Sequence, residues 1–587
     1  MGAEPFEKER LMIAIDRIRI KGFRSIGFLE MPLSRTTVMI GPNNCGKTTV
    51  LKALQLALNQ ACAAEPHDFH RAGDASTVSE IVIDVRFVPV DDEGRRRATF
   101  EPEWRTVLAG GISKGAKKEW FALRRRFWID PATCEVKSAV FTLSNWETGA
   151  ESESKASPTF ELRICLLEAE DDLQSAMARR QSFIRSAFEA LRDDIHAHPQ
   201  YADVTFEKLR AHLNRLCETL EGPGSGLPDG LMLSPSTLER FFSWVLTTGG
   251  SRTLDALLGR GTQKTLLILS AVTLIEGLKR RAQAHGRPLF ILIAAEEPES
   301  HLHPNAQRTL MAQLGRLSHQ LIVSTHSPCV AASAEPAGLR AMNRDGDGVC
   351  VRWLPKKTDA ADARAVKRLI LRLRGEVLFA RGLMFVEGVT EEQLIRGMFQ
   401  LHFGDDPSAF GFSIVGVDGK SYAPFLLLAL SLKKPFCIVS DNDGDAAHVV
   451  MKQLADVEQK VQFDHKANKS GVFFLSPGLA MEGELVHKLD MRSELIDALL
   501  ASSPLANPSE KTLRRRRENL LQLTDRDLKR RLEKKKSEYS GFLGDIIARN
   551  PGNRRPEALC PKAVLRAFAL MKTWFEKPTE KDATSGE

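Results

Sequence analysis

The chain has 587 residues, 43% hydrophobic and 27% charged, a composition typical of a globular protein and not of a disordered or fibrous chain. Its net charge of +7 is compatible with a polyanionic partner without being evidence for one, and its length predicts about three to four domains. Nine scattered cysteines without a CxxC pair argue against a disulfide framework and a structural zinc site. Lacking an apolar leader or a membrane-length apolar run, the chain is expected to be cytoplasmic, with no membrane contact.

The first predicted elements surround a glycine-rich loop. Residues 12–23 and 36–40 have the pattern of β-strands, and the segment after the loop has helical periodicity. Between residues 79 and 166, apolar runs separated by charged turns predict an antiparallel sheet. Residues 167–220 carry long helical patterns, and the stretch 221–230, rich in glycine and proline, is typical of a hinge.

Two later blocks alternate helices with apolar strands. The block from 265 to 326 and the run from 382 to 477 both have the element order of a parallel α/β sheet. From about residue 484 the chain is mostly helical and strongly charged. We therefore predict an α/β protein with two parallel sheets and a helical C-terminal part.

Residues 41–48 (GPNNCGKT) match the phosphate-binding pattern G-x-x-x-x-G-K-[ST] between a strand and a helix, where this pattern belongs. Its glycines let backbone N–H groups face phosphates, and the helix N-terminus adds a positive dipole. Lys47 is expected to neutralise the β- and γ-phosphates of ATP, and Thr48 to bind Mg²⁺. The nucleotide contacts expected here are Asn43, Asn44, Gly46, Lys47, Thr48 and Thr49.

A second acidic motif follows about 250 residues downstream. The apolar strand 289–295 ends in Glu296 and Glu297, where one carboxylate can hold Mg²⁺ through water and the next can polarise the attacking water. His326, at the end of the following strand, is placed to sense the γ-phosphate. Alone, the acids could simply cap a strand and the histidine could be a core residue, so both interpretations depend on the phosphate loop.

These motifs, in this order, resemble the ABC-type ATPases of the RecF/SMC kind. The resemblance extends to 22–25 (GFRS), which contains Arg24, and to 259–263 (GRGTQ), which contains Gly261. It implies that GRGTQ completes the ATP site of a neighbouring subunit, so that the ATPase heads form a homodimer around ATP. Glu296 stands where most relatives have aspartate, which preserves the charge. The equivalent of the Q-loop is unclear, with 67–70 (HDFH) a weak candidate.

A second set of acids follows two strands of the third block. Glu387 ends the strand 384–386, and Asp441, Asp443 and Asp445 follow the strand 436–439. Because the carboxyl ends of parallel strands meet at one edge, Glu387, Asp441 and Asp443 are expected to face one pocket. Hard oxygen ligands in this number suit Mg²⁺ or Mn²⁺, and two such ions could support phosphodiester cleavage. The alternatives are a solvated acidic turn or a calcium loop, although the latter's glycine and final glutamate are missing from their positions.

The pattern hhhEG…hhhSDxDxD resembles the Toprim domain of topoisomerases, primases and certain nucleases. In that resemblance Glu391, with Glu482 or Glu484, would complete a second metal position. The ATPase followed by this Toprim pattern resembles the OLD (overcoming lysogenisation defect) family, specifically its class 2. That family implies metal-dependent DNA nicking and cleavage, with roles in phage defence or DNA repair, and a catalytic basic residue near the metals. Lys562 is our first candidate for that residue and Lys536 the second.

The C-terminal part contains dense basic runs at 514–517, 529–531 and 534–536. They suit contacts to a DNA backbone, but interspersed acids leave open a merely solvated helix face. The runs 95–97 and 124–126 are weaker candidates, and no motif for base-specific reading is present.

We accordingly predict five segments along the chain. They are an N-terminal ATPase part (1–166), a helical insertion and candidate dimerisation arm (167–230), the remaining ATPase part (231–375), a Toprim nuclease core (376–483) and a basic helical region that completes the nuclease (484–587). The predicted function is an ATP-hydrolysing, Mg²⁺- or Mn²⁺-dependent DNA endonuclease. The alternatives are an SMC-like DNA clamp with inert acids, and a topoisomerase or primase, for which Tyr201, Tyr422 and Tyr539 lack a recognisable winged-helix context.

Overall fold

A computed structural model describes most of residues 12–171, short helical pieces between 175 and 187, and most of the chain from 264 to 575. Residues 188–263 lie outside the described part, and so do the hinge at 221–230, Tyr201 and Gly261. Within the described residues, no helix is both long and apolar enough to cross a bilayer. The chain divides into two compact units, residues 1–351 and 352–587.

Unit 1 begins with an antiparallel sheet of six strands, as the alternating runs predict. Its strands follow the order β2-β1-β4-β6-β5, with β7 also paired to β6. The elements of this part are β1 (Ile13–Phe23), β2 (Ile26–Pro32), β3 (Thr36–Ile40), α1 (Lys47–Leu58), β4 (Glu80–Pro89), α2 (Pro102–Val107), β5 (Ile112–Lys114), β6 (Glu119–Ile129), β7 (Val136–Thr142) and β8 (Leu162–Leu167).

The second sheet of unit 1 has the order β12-β11-β3-β10-β9-β8. Its remaining elements are β9 (Phe290–Glu296), α3 (Pro304–Leu314), β10 (Leu321–Ser324), α4 (Pro328–Ser333), β11 (Leu339–Asp345) and β12 (Gly348–Arg352). The strands β3, β10, β9 and β8 run parallel, and Ser324 is in register with both Met39 and Glu296. This register brings the ends of β3, β9 and β10 together at one edge of the sheet.

Unit 2 contains a four-stranded parallel sheet in the order β14-β13-β15-β16. Its elements up to the last strand are α5 (Ala360–Arg372), β13 (Gly382–Val386), α6 (Val389–Phe403), β14 (Phe412–Gly416), α7 (Ala423–Ser431), β15 (Phe436–Ser440), α8 (Ala446–Val461) and β16 (Gly471–Phe474). All five residues of β13 and of β15 are buried, which explains their uninterrupted apolar sequences.

The helical C-terminal part packs on this sheet and shares its core. It comprises α9 (Met481–His487), α10 (Arg492–Ala501), α11 (Glu510–Leu521), α12 (Asp525–Lys534), α13 (Lys536–Arg549), α14 (Pro556–Leu559) and α15 (Lys562–Lys572). The helices α6 and α13 cross closely, since a Cβ atom at Gly397 would lie 2.2 Å from the Gly544 carbonyl oxygen. Burial of aromatic side chains such as Phe399 and Phe568, each worth about 1.5–3 kcal/mol, stabilises this core.

Candidate active sites

The loop between β3 and α1 has the backbone shape of a phosphate cradle. Gly41 and Gly46 have φ angles of 150° and 94°, and Asn44 has a φ of 60°. A Cβ atom at Gly41 would lie 2.1 Å from the Met342 carbonyl oxygen, so this position requires glycine. The helix α1 starts directly after the loop, and its first N–H groups have no partner within the helix. The loop can therefore offer several backbone donors to an anion.

The side chains of the loop divide into buried and exposed groups. Lys47 is buried, and its Nζ donates hydrogen bonds to the carbonyl oxygens of Gly41 and Pro42, both at 2.9 Å. Asn43 and Asn44 are exposed, whereas Thr49 is buried, with its hydroxyl 3.3 Å from that of Ser25. The lysine ammonium is thus held over the loop, where phosphate oxygens would compete with carbonyl oxygens for it.

The two halves of the nucleotide motif meet across 248 residues of sequence. The Thr48 hydroxyl donates a hydrogen bond to the Glu296 carboxylate at the end of β9. Hydroxyl and carboxylate oxygens are suitable ligands for Mg²⁺, directly or through water. The structure therefore brings together the two side chains that the sequence assigns to the nucleotide's metal ion.

Glu297 and His326 face each other at the same sheet edge. Glu297 has a left-handed φ of 43°, and its N–H donates to the Ser324 carbonyl oxygen at 2.9 Å. Its carboxylate lies 3.6 Å from His326 Nε2. Burial, and then the charge of Lys47, lower the pKa of His326, while the charges of Glu297 and Glu299 oppose that shift. A neutral imidazole beside a carboxylate is suited to hold a water molecule between them.

Two residues of this site were missed by the sequence analysis. Glu299 Oε1 accepts hydrogen bonds from Thr325 Oγ1 at 2.5 Å and from the N–H groups of His326 and Ser327 at 2.9 and 3.1 Å. Lys264 is buried; burial lowers its pKa, and the charges of Asp171, Glu296, Glu297 and Glu299 oppose this. The available signals were the third acid in EEPES and the basic residue directly after GRGTQ.

Arg24 lies in a turn that the segment 67–70 holds in place. Its φ is 48°, and its Nε donates to Asp68 Oδ1 at 2.7 Å. The Arg24 N–H donates to the Asp68 carbonyl oxygen, and His70 Nδ1 lies 2.6 Å from the Arg24 carbonyl oxygen. The HDFH segment therefore positions Arg24, while its role as a Q-loop stays a prediction.

In unit 2, the acids predicted to share a pocket do come together. Asp441, just after β15, is buried, and its pKa is raised to about 8. The largest cause is burial, followed by the negative charges of Glu387, Glu391, Glu482 and Asp443. Since electrostatic repulsion of this kind requires proximity, the carboxylates that follow β13 and β15 and those on α6 and α9 lie near one another.

The acids of this cluster differ in their supports. Glu391 is buried, and its Oε2 accepts the Gly388 N–H at 2.9 Å, which caps α6. Asp441 Oδ1 accepts the Met481 N–H at 3.2 Å, which ties the strand end to α9. Asp443 and Asp445 are exposed and lie at the mouth of the cluster.

Glu482 and Glu484, which the sequence could not tell apart, have different environments. Both are buried on α9. The negative charge of Glu482 contributes to the raised pKa of Asp441. Glu484 instead accepts hydrogen bonds from the Ser476 hydroxyl at 3.0 Å and the Ser476 N–H at 3.2 Å. Glu484 therefore secures the loop after β16, and Glu482 is the one of the two whose charge acts on Asp441.

Two buried tyrosines adjoin the cluster. Burial raises the pKa of Tyr539 well above its usual value, with smaller effects from Glu482 and Glu391. Within the described residues, the Tyr539 hydroxyl has no hydrogen-bond partner. Tyr422 is also completely buried, and burial raises its pKa too, with smaller contributions from Glu387, Asp441 and Glu391. Both phenols are therefore buried close enough to the cluster to feel its negative charge.

The cluster acids are spread more widely than the ligands of a single ion. Among the described residues, three ligand atoms lie within 4.8 Å of one another only at Glu458, Asp464 and His465, near the end of α8. That set is closed by its own hydrogen bonds, because both His465 N and Nδ1 lie 2.7 Å from Glu458 Oε1. We therefore assign no site to it.

Lys562, the first lysine proposed from the family resemblance, is not among the described contacts of the cluster. Lys562 is exposed at the start of α15, and no ion pair is found for it within the described residues. The side chain of Lys536 lies outside the described part. The lysine that does reach the cluster is Lys420, whose Nζ lies 3.5 Å from Asp443 Oδ1 and 3.8 Å from Asp445 Oδ1. In the sequence, Lys420 could have been noticed by its position directly after Asp418 and Gly419, in the turn that follows a predicted strand.

The basic runs separate into neutralised and available charges. In the runs 95–97 and 124–126, five of the six arginines pair with carboxylates, and Arg125 instead donates to the carbonyl oxygens at the end of α1. In the C-terminal part, Arg514 and Arg517 pair with Glu510 and Asp497. The exposed cations with no ion pair in the described residues include Arg515, Arg526, Arg530, Arg531 and Lys534.

Comparisons with known proteins find two different domains in the chain. Residues 36–332 match a family model described as "AAA domain, putative AbiEii toxin, Type IV TA system", and residues 378–443 match one described as "Overcoming lysogenization defect protein-like, TOPRIM domain". Together they confirm the predicted α/β fold class, with an ATPase head followed by a Toprim domain. They also imply that the chain uses a nucleotide and a divalent metal ion.

The curated relatives are similar over most of their length. The chain is 24% identical to the OLD nuclease of Thermus scotoductus, covering 73% of this chain and 82% of that protein. It is 22% identical to the Old nuclease of Escherichia phage P2 (70% and 74% covered) and 20% identical to Endonuclease GajA of Bacillus cereus (72% and 73% covered). The phosphate loop of unit 1, the acidic cluster of unit 2, the two family models and these relatives lead to one conclusion: the chain belongs to the OLD family of ATPase–Toprim nucleases.

Proposed function

We propose that this chain is a DNA endonuclease that requires a divalent metal, with Asp441, Glu387, Glu391, Asp443 and Glu482 forming the nuclease centre. The observation that carries the proposal is the gathering of these carboxylates around Asp441, whose pKa is raised to about 8 by burial and then by their negative charges. Without a cation, so many acids in one partly buried place repel one another, which costs stability. Binding of divalent metal ions would offset this repulsion, which is why we assign a metal-binding function to these carboxylates.

The donor set fits Mg²⁺ or Mn²⁺. All the converging groups are carboxylates, the hard oxygen ligands that these ions prefer, and the described part of the cluster contains no cysteine or histidine. No three of these carboxylates place ligand atoms within 4.8 Å of one another among the described residues, so rotation of their side chains toward the ions is part of the proposal. Glu387, Asp441 and Asp443 are assigned to one ion, and Glu391 and Glu482 to the other. Asp445, at the mouth, is a further candidate ligand. Bound ions would supply an activated water and a positive charge beside the leaving oxygen.

The protein side of the mechanism is positioning. The ends of β13 and β15 fix Glu387 and Asp441, the cap of α6 fixes Glu391, and the Met481 N–H orients Asp441. Phosphodiester hydrolysis adds water across one P–O bond and leaves a phosphate on one strand end and a hydroxyl on the other. The buried side of the cluster excludes bulk water, so a phosphate can approach only from the side of Asp443 and Asp445.

DNA is the substrate that the surface charges favour. The helix α12 packs against α9, which carries Glu482, and presents Arg526, Arg530, Arg531 and Lys534 as exposed cations without described ion pairs. The helix is capped by Thr524 and has Asp525 and Asp527 in its first turn, while Arg531 and Lys534 lie in its last turn, where their charges suit the helix dipole and remain exposed. Such charges suit backbone contacts and predict cleavage that weakens steeply with salt.

In unit 1, we propose that Lys47, Thr48 and Glu296 bind Mg·ATP and that Glu297 with His326 positions the attacking water. The proposal includes a homodimer of ATPase heads and contacts between the nucleotide and Asn43, Asn44, Gly46, Thr49, Arg24 and Gly261.

Phage defence is the biological role that we propose for this nuclease. Tyr422 and Tyr539, the two tyrosines within the described residues, are both fully buried, so neither is placed to act as the nucleophile of a topoisomerase.

The test is cleavage of supercoiled plasmid by the full chain with Mg²⁺ or Mn²⁺, with and without ATP. We expect nicked and linear products from the natural protein and none from Asp441→Ala, while both hydrolyse ATP. Equal cleavage by the two proteins would remove the nuclease from the acidic cluster. Absence of cleavage by both would favour the DNA-clamp alternative.

A further inference from the structure

We infer that Lys420 is the side chain that contacts the scissile phosphate at the acidic cluster. The inference rests on the nuclease function proposed above and adds a residue that neither the sequence motifs nor the family resemblance indicated. Its basis is the contact of Lys420 with Asp443 and Asp445, at 3.5 and 3.8 Å, on the exposed side of the cluster.

The loop that carries Lys420 is fixed to the strand that carries Glu387. The N–H of Val417 donates to the Val386 carbonyl oxygen and that of Gly419 to the Glu387 carbonyl oxygen, both at 2.9 Å. Asp418 and Gly419 have left-handed φ angles of 57° and 104°. A backbone turned this way is costly for an aspartate, so its surroundings must hold it there. The turn therefore keeps Lys420 at a fixed place relative to Glu387.

A second clamp acts from α8. The Gln453 side chain donates to the Lys420 carbonyl oxygen at 2.6 Å and accepts the Ala423 N–H at 2.9 Å. Arg372 forms an ion pair with Asp418 on the other side of the turn. The backbone of Lys420 is thus held on both sides, although its side chain extends to the mouth of the cluster.

The exposure of the charged groups shows which side faces a substrate. Asp441, Glu391 and Glu482 are buried, whereas the side chains of Asp443 and Asp445 are 51% and 77% exposed and that of Lys420 is 35% exposed. Among the described residues, Lys420 is the only lysine or arginine in ion-pair range of Asp443 or Asp445. A phosphate arriving from solvent would therefore meet this ammonium beside the proposed metal ligands.

The chemistry required at this place matches a lysine. During hydrolysis, negative charge builds up on the non-bridging oxygens of the phosphate, and a compact ammonium with three donors can stabilise it. The exposed ion pairs that Lys420 makes are weak, so a phosphate can displace the aspartates from it. Lys562, the candidate from the family resemblance, has no comparable contact among the described residues.

The experiment compares Lys420→Ala, Lys420→Gln and Lys420→Arg with the natural full-length protein on supercoiled plasmid, over a titration of Mn²⁺. Lys460→Ala is the matched control, because Lys460 also pairs with an aspartate, Asp362 at 2.6 Å, but lies about 22 Å along α8 from Asp445. We expect the alanine and glutamine variants to cleave about 100-fold more slowly at saturating Mn²⁺. Lys420→Arg should retain part of the rate, and Lys460→Ala all of it.

A further readout separates phosphate contact from mere charge balance. Added ethylammonium should restore part of the activity of Lys420→Ala, whereas the same concentration of sodium should not. The inference is overturned if higher Mn²⁺ fully restores the variants, if Lys420→Gln cleaves at the natural rate, or if only Lys562→Ala loses activity. If the natural protein itself does not cleave, the proposed function has failed, and an active natural protein with an active Lys420→Ala would refute this inference alone.

Discussion

The two sites have the same architecture but opposite charge balance. Each lies where neighbouring parallel strands end, β3, β10 and β9 in unit 1 and β13 and β15 in unit 2. In unit 1 the acids Glu296 and Glu297 face the buried ammonium groups of Lys47 and Lys264. In unit 2 the buried acids of the cluster face mainly one another, and the one lysine at the mouth is partly exposed.

This difference explains what each site must receive. The nucleotide site already contains cations, so it is ready for a polyanion that arrives with a single Mg²⁺. The acidic cluster lacks sufficient positive charge, so its stable state is one with divalent ions bound. A sheet edge of one type can therefore serve two chemistries, and the distribution of lysines decides which.

The largest effect expected is a separation of the two activities. Asp441→Asn should reduce plasmid cleavage by at least about 1,000-fold, since it removes the central ligand, and should leave ATP hydrolysis unchanged. Lys47→Ala should abolish ATP binding, measured with a fluorescent ATP analogue. If Asp441→Asn also lost ATP hydrolysis, or if Lys47→Ala bound ATP normally, the assignment of DNA cleavage and ATP binding to two separate sites would be wrong.

The next effect concerns Glu297. Glu297→Gln should bind ATP but hydrolyse it on the order of 100-fold more slowly, because the amide cannot polarise the attacking water. The variant should therefore accumulate as an ATP-bound dimer, detectable by light scattering. Normal turnover would move the catalytic role to Glu296.

A smaller effect should distinguish the two glutamates of α9. Glu482→Gln should weaken Mn²⁺ binding and slow cleavage about 10- to 100-fold. Glu484→Gln should instead lower the melting temperature, because its bonds to Ser476 secure a loop, and should leave Mn²⁺ affinity nearly unchanged. The reverse result would exchange the assignments.

Much of the two sites could be predicted from the sequence, because short local motifs define them. The loop 41–48, the strand ends at Glu296 and Glu387, and the aspartates after β15 are each defined by a few consecutive residues. Glu482 and Glu484 are different, because two residues along a helix are about 200° apart, so only one faces the cluster and the spacing does not say which. Lys420, Lys264 and Glu299 were missed because their partners are distant in sequence, and only the folded chain supplies those contacts.

The basic runs illustrate the same limit. Arg124 and Arg126 look like a nucleic-acid patch in sequence, but neighbouring strands place Asp84 and Glu80 beside them. The free cations of α12 could not be told from these by composition, since the difference lies entirely in the partners.

The smallest effect expected is on stability. The pKa of Asp441 is about 8 in the folded protein and near 4 when unfolded, so the folded state binds the proton more tightly. The stability that this proton contributes is fully present below about pH 4 and is lost as pH rises through 8. Metal-free protein should therefore melt at lower temperature at pH 8 than at pH 6. Asp441→Asn should flatten that dependence, and an equal slope in the variant would assign it to other groups.

The acidic cluster should bind divalent ions by itself, whereas the nucleotide site should acquire its ion together with ATP. This difference can be measured by adding Mn²⁺ to the full chain without nucleotide and detecting the bound ions by electron paramagnetic resonance. We expect about two tightly bound Mn²⁺ ions per chain, both lost or strongly weakened in Asp441→Asn and unaffected by Lys47→Ala. Equal Mn²⁺ binding by the natural protein and Asp441→Asn would contradict it.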